Sequence, residues 1–293
     1  FFFIFFKKIF IKTPLSLGLS ARFELKSKPQ LMQQPIALIG IPFDKKSSFL
    51  PGAALAPDRI RETLHNGAGN YWTENTFNPI ENERFKDLGN LAFQDYFDIE
   101  NQVAAVLATG VRTLTLGGDH SIAYPVVKAQ SRFFQDFDIL QIDAHGDLYD
   151  EFEGDRYSHA CPFARILEEK LTGRLVQLGV RTFNPHQREQ VARFGVEVIE
   201  MKDFEAKAAS LVFQKPLYLS LDLDAFDPAF APGVSHHEPG GLTTREVLRL
   251  LQNIPVPIIG ADIVEYNPHR DVAGMTAALA AKLVKEIAAK MLS

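Results

Sequence analysis

Seven short β-rich runs, most of them almost continuously apolar, recur along the chain between longer helical patterns, and this alternation constrains the fold more than any other feature. They are PIALIGI (35–41), RTLTL (112–116), DILQI (138–142), RLVQLGV (174–180), VEVIEM (196–201), PLYLSL (216–221) and PVPIIGAD (255–262). Short runs with so little polar alternation are expected for strands covered on both faces, as in a parallel sheet. Three helical patterns stand out between and after them. DIENQVAAVLATG (98–110) ends in Gly110, a helix stop. TTREVLRLLQN (243–253) opens with Thr243 and Glu246 at capping-box spacing, ahead of Val247, Leu250 and Leu251. MTAALAAKLVKEIAAKM (275–291) sets Leu279, Leu283, Ile287 and Met291 four apart, on one helix face. No repeat or linker breaks residues 32–293, so the sequence predicts one doubly wound α/β domain there.

A chain of 293 residues, 46% hydrophobic and 23% charged, can bury a large core of this kind. Its formal net charge of −5 argues against nucleic acid or an anionic membrane as partner and suits a cationic small molecule. Cys161 is the single cysteine, which excludes an internal disulfide and any cysteine-based metal cluster, and fits a reducing, cytoplasmic setting.

Residues 1–31 differ from the rest, with six basic residues against one acidic, Glu24. The apolar stretch in them is too short to span a bilayer, and Lys7 and Lys8 follow it, where a secretory signal would place charge before it. An organellar presequence is compatible with this basic, acid-poor composition. The expectation is an extension outside the fold, upstream or vector-derived, because Met32 directly precedes the first core strand.

In doubly wound sheets, ligands bind beyond the carboxyl ends of the strands. The residues there are unusual. GGDH (117–120) follows RTLTL and ends in His120; DAHGD follows DILQI and carries Asp143, His145 and Asp147; DLD follows PLYLSL with Asp222 and Asp224; IVEYNP follows the last run with Glu265. In extended chain, alternate side chains share one face about 6.6 Å apart. A lone D-x-H or D-x-D is more often a cap or a solvated turn, but here three strand ends agree. Two imidazoles and four carboxylates are too many for one tetrahedral zinc. They suit two divalent ions about 3.5–4 Å apart with bridging carboxylates. Oxygen-rich ligation without thiolate favours Mn²⁺, with Fe²⁺, Co²⁺ and Ni²⁺ left open.

GGDHS, DAHGD, SLDLDAFDPAFAPG, PGGLT and DIVEYNP resemble the signatures of the ureohydrolase family: arginase, agmatinase and their relatives. The resemblance runs from about residue 36 to the C-terminus and includes PGAALAPDRIRE (51–62). YDEFEGDRYSHACPFARILE (149–168), PGVSHHEPGGLT (232–243) and EYNPHRDVAGMTAALAAKLVKE (265–286) look most like plant-type arginases and their bacterial relatives. The resemblance implies a three-layer αβα single domain with a mostly parallel sheet, assembled as a homotrimer or homohexamer. It implies one manganese on His120, Asp143, Asp147 and Asp222, and a second on His145, Asp143, Asp222 and Asp224, so that Asp143 and Asp222 bridge. Glu265 would orient the substrate guanidinium, and His159, in YSHACPF, would move a proton to the leaving amine.

The implied reaction is hydrolysis of agmatine or L-arginine to urea and an amine, with guanidinobutyrate or guanidine as further substrates. Tyr149 stands where animal arginases carry an asparagine, and the acidic loop Asp150, Glu151, Glu153 and Asp155 could attract the distal ammonium of agmatine. The plant-like segments point instead to arginine. SHHE (235–238) departs from the family pattern, with His236 and His237 either at the mouth or on the surface. Cys161 is not needed as a nucleophile, and Asp119 reads as a buried hydrogen-bonding partner of its neighbours. A one-metal zinc deacetylase would not need all of His120, Asp147 and Asp224, and a silent subunit would be expected to have lost ligands; none is missing.

Overall fold

The computed structural model describes residues 28–293. Its strands are β1 (Ile36–Gly40), β2 (Phe85–Asn90), β3 (Arg112–Leu116), β4 (Asp138–Ile142), β5 (Arg174–Leu178), β6 (Glu197–Ile199), β7 (Leu217–Asp222) and β8 (Ile258–Val264). They form one sheet in the order β2-β1-β3-β8-β7-β4-β5-β6, and every pairing is parallel. Each run read from the sequence contains or overlaps one of these strands; β7 and β8 extend one and two residues beyond theirs. The unforeseen strand is β2, FKDLGN, which lies at the sheet edge with Lys86, Asp87, Leu88 and Asn90 exposed. An edge strand needs no apolar run, and its charges discourage pairing with another chain.

The helices are α1 (Lys28–Gln33), α2 (Ala56–His65), α3 (Asp98–Leu107), α4 (Ala123–Ser131), α5 (Pro162–Glu168), α6 (Pro185–Phe194), α7 (Phe204–Lys207), α8 (Thr244–Asn253) and α9 (Met275–Leu292). Alternate strand residues feed two cores, giving the three layers that the sequence led us to expect. Ile36, Leu38, Leu140 and Leu219 pack with α2, α8 and α9, whereas Ala37, Ile39, Ile139 and Tyr218 pack with α3, α4 and α5. Leu31 of α1 also packs into the second core; residues 1–27, and so most of the expected N-terminal extension, lie outside the described residues.

Helix boundaries follow local chemistry. Thr243 caps α8, accepting the Glu246 N–H at 3.2 Å, while Glu246 accepts the Thr243 N–H at 2.7 Å. The α3 helix ends at Leu107, and Gly110, at φ 88°, closes the following turn. Leu283, Ile287 and Met291 of α9 are fully buried; each such side chain stabilises by about 1.5–3 kcal/mol. Among the described residues no helix is long and apolar enough to cross a membrane.

The topology places the site. From β3 the chain skips two positions to β4, and β7 and β8 later fill the gap. This is the switch point at which open α/β sheets form a crevice. The four adjacent strands β3, β8, β7 and β4 precede His120, Glu265, Asp222–Asp224 and Asp143–Asp147 respectively.

Candidate active site

The loop after β3 is stitched to two neighbouring strand ends. The Asp119 N–H donates to the Phe43 carbonyl at 2.9 Å, and the Gly118 carbonyl accepts the Glu265 N–H at 2.8 Å. The approach leaves no room at Gly118, where a Cβ would lie 1.8 Å from the Phe43 carbonyl oxygen. Close backbone approach is the reason for glycine there.

His120 follows, fully buried. Its Nδ1 lies 3.1 Å from Asp143 Oδ2, 3.0 Å from Asp147 Oδ2 and 3.1 Å from Asp222 Oδ2. Its Nε2 is 2.9 Å from Ser220 Oγ, and Ser220 donates its own proton to Asp262 Oδ1 at 2.7 Å. Nε2 therefore carries a hydrogen, and Nδ1 faces the carboxylates. Burial opposes charge on the ring, but Asp143, Asp147 and Asp222 outweigh it and hold the metal-free imidazole well above its ordinary range. Burial, then repulsion from Asp143, pushes Asp147 up to about 6. Burial and the Asp224 and Asp143 charges likewise hold Asp222 well above the usual carboxylate range.

A second group adjoins the first. His145 Nδ1 lies 2.9 Å from Asp224 Oδ2 and 3.6 Å from Asp143 Oδ1. Asp143 thus serves both groups, one oxygen to each. Asp222 meets the His120 group through Oδ2, while its Oδ1 accepts the Asp224 N–H at 2.8 Å.

These donors fit divalent cations. Three buried carboxylate oxygens within about 3 Å of one imidazole nitrogen need positive charge among them, which a proton supplies in the bare chain and a divalent cation would supply better. His120, Asp143 and Asp147 form one set of convergent ligand atoms, and Asp143, His145 and Asp224 another.

His159 and Glu265 stand beside them. His159 Nδ1 is 2.9 Å from Glu265 Oε1, which also accepts the His120 N–H at 2.8 Å. Burial opposes charge on His159, but the Glu265 carboxylate outweighs it and raises the imidazole to about 9. Glu265 and Asp147 both adopt left-handed backbone, at φ 63° and 48°, strain of a kind that collects at functional sites. A cleft of about 650 Å³, counting its open mouth, is lined by Asp147, Asp222, Asp224, His145, His159 and Glu265.

A family model described as the arginase family matches residues 34–289. The chain belongs to the arginase family. It is 46% identical over 275 residues to arginase 1, mitochondrial, of Arabidopsis thaliana, covering 87% of this chain and 80% of that protein. It is 33% identical to the mitochondrial guanidino acid hydrolase of Homo sapiens, covering 95% and 84%. Among solved structures, arginase from Medicago truncatula superposes with a TM-score of 0.83 at 43% identity, covering 88% and 87%. The chain is a ureohydrolase enzyme of this family.

In this arginase-family site, structure separates residues that the sequence left together. His236 lines the cleft, its ring 5.9 Å from His145 and 5.4 Å from His159, whereas His237 is exposed and donates to the Pro232 carbonyl. Of the acidic loop, Asp155 is engaged by Lys46 at 2.6 Å and Asp150 by Arg193 at 3.1 Å; Tyr149 and Phe152 line the cleft instead. Asp119 accepts from the Ser121 and Lys46 N–H groups. Cys161 is fully buried, and burial pushes its thiol up to about 12, far from a nucleophile.

Other residues escape a reading of the sequence alone. Gln177 donates to Gln141, which donates to Asp143 Oδ2 at 2.7 Å and aims that carboxylate. Arg181 binds the carbonyls of Gly179, Asp224, Ala225, Phe226 and Glu238, fixing the loop beyond β7. Asp262 accepts from both Tyr218 and Ser220 and so sets the His120 tautomer. In Asp262→Asn the amide can donate to Ser220, whose hydroxyl then donates to Nε2 and moves the His120 hydrogen to Nδ1. The expected result is a roughly 10–100-fold loss of metal affinity with unchanged circular dichroism. Titration of the metal-free protein checks it; parent-like affinity would contradict the relay.

Proposed function

We propose that this enzyme hydrolyses L-arginine to urea and ornithine with two manganese ions in the cleft. The observation that carries the choice of substrate is the 46% identity to a plant arginase over 87% of the chain. The site supports it in part, because two of the four acidic-loop carboxylates that would have favoured agmatine's second ammonium, Asp150 and Asp155, are already in ion pairs.

His120, Asp143, Asp147 and Asp222 would hold one cation, and His145, Asp143, Asp222 and Asp224 the other; oxygen-rich donors suit Mn²⁺. Bound there, such cations would make water acidic enough to supply a nucleophile at neutral pH. The protein must do the rest. A guanidinium carbon is resonance-stabilised and already positive, so it needs orientation. Glu265 Oε1 is committed to His120 and His159, which leaves Oε2 to hold the guanidinium at the floor of the cleft. His159, charged at neutral pH, supplies the proton that lets the amine leave. Residues 32–293 form the catalytic unit in this reading. A homotrimeric or homohexameric assembly, and an organellar location like that in the Arabidopsis arginase's name, belong to the same reading.

Urea release by the Mn²⁺-loaded protein, given L-arginine, agmatine, 4-guanidinobutyrate and guanidine separately, tests it. Preference for arginine is expected. Preference for agmatine would contradict the substrate, and urea from 4-guanidinobutyrate alone would favour the activity named for the human relative.

A further inference from the structure

We infer that Ser48 is a positioning and proton-relay residue, the outer member of a chain Glu265–His159–Ser48 that carries protons between the buried imidazole and the open side of the cleft. The inference rests on the reading of His159 as the group that protonates the leaving amine. Ser48 Oγ lies 2.9 Å from His159 Nε2, and His159 Nδ1 lies 2.9 Å from Glu265 Oε1. Both ring nitrogens are thereby engaged. Nδ1 faces a carboxylate that holds its hydrogen, so a proton leaving the ring toward the cleft leaves from Nε2, where the Ser48 hydroxyl waits. His159 itself is 9% exposed, whereas Ser48 is exposed and lines the same cleft. The hydroxyl is thus the link between a buried acid and water.

The serine is placed by structure on both sides. The Lys46 N–H donates to Asp119 Oδ2 at 2.9 Å, and the Lys46 carbonyl accepts the His159 N–H at 3.2 Å. The Lys46 ammonium pairs with Asp155, four residues before His159. Downstream, the Gly52 and Ala54 N–H groups converge on Asp44 Oδ2 at 2.7 and 3.2 Å. The loop is closed on itself and fastened to the His159 segment. The Ser48 N–H also approaches Nε2, at 3.3 Å. When the ring is charged, Nε2–H donates to the nearer hydroxyl and this longer backbone contact yields.

The protons balance. As the C–N bond breaks, its electron pair stays on the amine nitrogen, which takes the Ser48 hydroxyl proton. Ser48 Oγ takes the proton of Nε2 in the same movement. Neutral His159 remains, its Nδ1–H still donated to Glu265 Oε1, and solvent returns one proton through Ser48 to Nε2. The order Ser–His–carboxylate also builds acyl-transfer nucleophiles, but hydrolysis of a guanidinium forms no acyl-enzyme, so here the hydroxyl moves protons.

The test compares Ser48→Ala, Ser48→Thr and His159→Ala in the full Mn²⁺-loaded chain, reading urea from arginine in H₂O and D₂O. In Ser48→Ala, kcat is expected to fall about 10–100-fold, below the usual cost of losing the acid itself. KM and melting temperature should stay near the parent's, and the D₂O effect on kcat should grow. Ser48→Thr, which keeps the hydroxyl, should recover most of the rate. Parent-like kcat in Ser48→Ala beside an inactive His159→Ala would overturn the relay while leaving His159 in place. So would a loss that Ser48→Thr does not repair and D₂O does not enlarge, since that is a packing effect. Full activity in His159→Ala would remove the reading beneath it.

Discussion

Asp222→Asn is expected to abolish urea release while leaving the fold intact. The carboxylate brings Oδ2 to 3.1 Å from His120 Nδ1, and its Oδ1 accepts the Asp224 N–H at 2.8 Å. Asparagine keeps an oxygen for that backbone contact and removes the charge. Even residues one step behind metal ligands cost about 10–100-fold when lost, so removing a ligand should cost about 1,000-fold or more in kcat/KM, roughly 4 kcal/mol. Stability should move the other way. Burial and the neighbouring Asp224 and Asp143 charges oppose ionisation of Asp222, so the metal-free variant should melt at or above the metal-free parent. Charges gathered for a cation destabilise the chain that gathers them. Near-normal turnover in Asp222→Asn would sink the assignment of this carboxylate.

Gly118→Ala should be the most damaging single methyl in the described residues around the site. The new Cβ would fall 1.8 Å from the Phe43 carbonyl oxygen, which is backbone and cannot swing aside. Relief means separating the exits of β1, β3 and β8 and stretching two hydrogen bonds, Asp119 N–H to Phe43 and Glu265 N–H to Gly118. Overpacking and the weakened bonds together should cost about 3 kcal/mol or more. Whatever folds should turn over at least about 100-fold more slowly, because Glu265 and His120 shift relative to the reacting carbon. Gly69→Ala is the control: a Cβ there meets nothing within 4 Å, and its melting should stay within about 0.5 kcal/mol of the parent. Equal denaturant midpoints for both variants would contradict the stitched-loop account.

Most of the strands legible in the sequence have both faces covered, because continuous burial leaves a continuous apolar run; β6, an edge strand with Glu197 exposed, was legible from its β-branched Val198 and Ile199 instead. The β2 strand left neither signal, being an exposed edge built from Lys86, Asp87 and Leu88. The candidate cluster drew notice because Asp143, His145 and Asp147 alternate just after a strand, but the chain there is not extended: it turns, the His145 N–H donating to Asp143 Oδ1 at 2.7 Å and Asp147 adopting φ 48°. Ser220 and Asp262 drew none. Each is a polar residue inside a largely apolar strand, and only the register that pairs them across β7 and β8 makes them a relay to His120. Ser48 was hidden for a similar reason, since its partner lies 111 residues away. Nor does any local rule predict left-handed backbone at Asp147 and Glu265; the surrounding loops impose it.

The acidic loop was legible only in part: Glu151 and Glu153 are exposed, while Asp150 and Asp155 are paired. Its composition suggested a free negative patch for an ammonium, but charge in a sequence says nothing about its counter-charges. Lys46 and Arg193 reach Asp155 and Asp150 from 109 and 43 residues away. Once paired, those carboxylates offer little to a second cation.

The central claim is that two cations share this cleft and that both are needed. Metal content per chain, measured on the protein after saturation with Mn²⁺ and removal of excess, alongside urea release during stepwise reloading, tests it most directly. About two equivalents per chain are expected, with full activity appearing only as the second is filled. Full urea release at one equivalent, with no further uptake, would contradict the two-metal account.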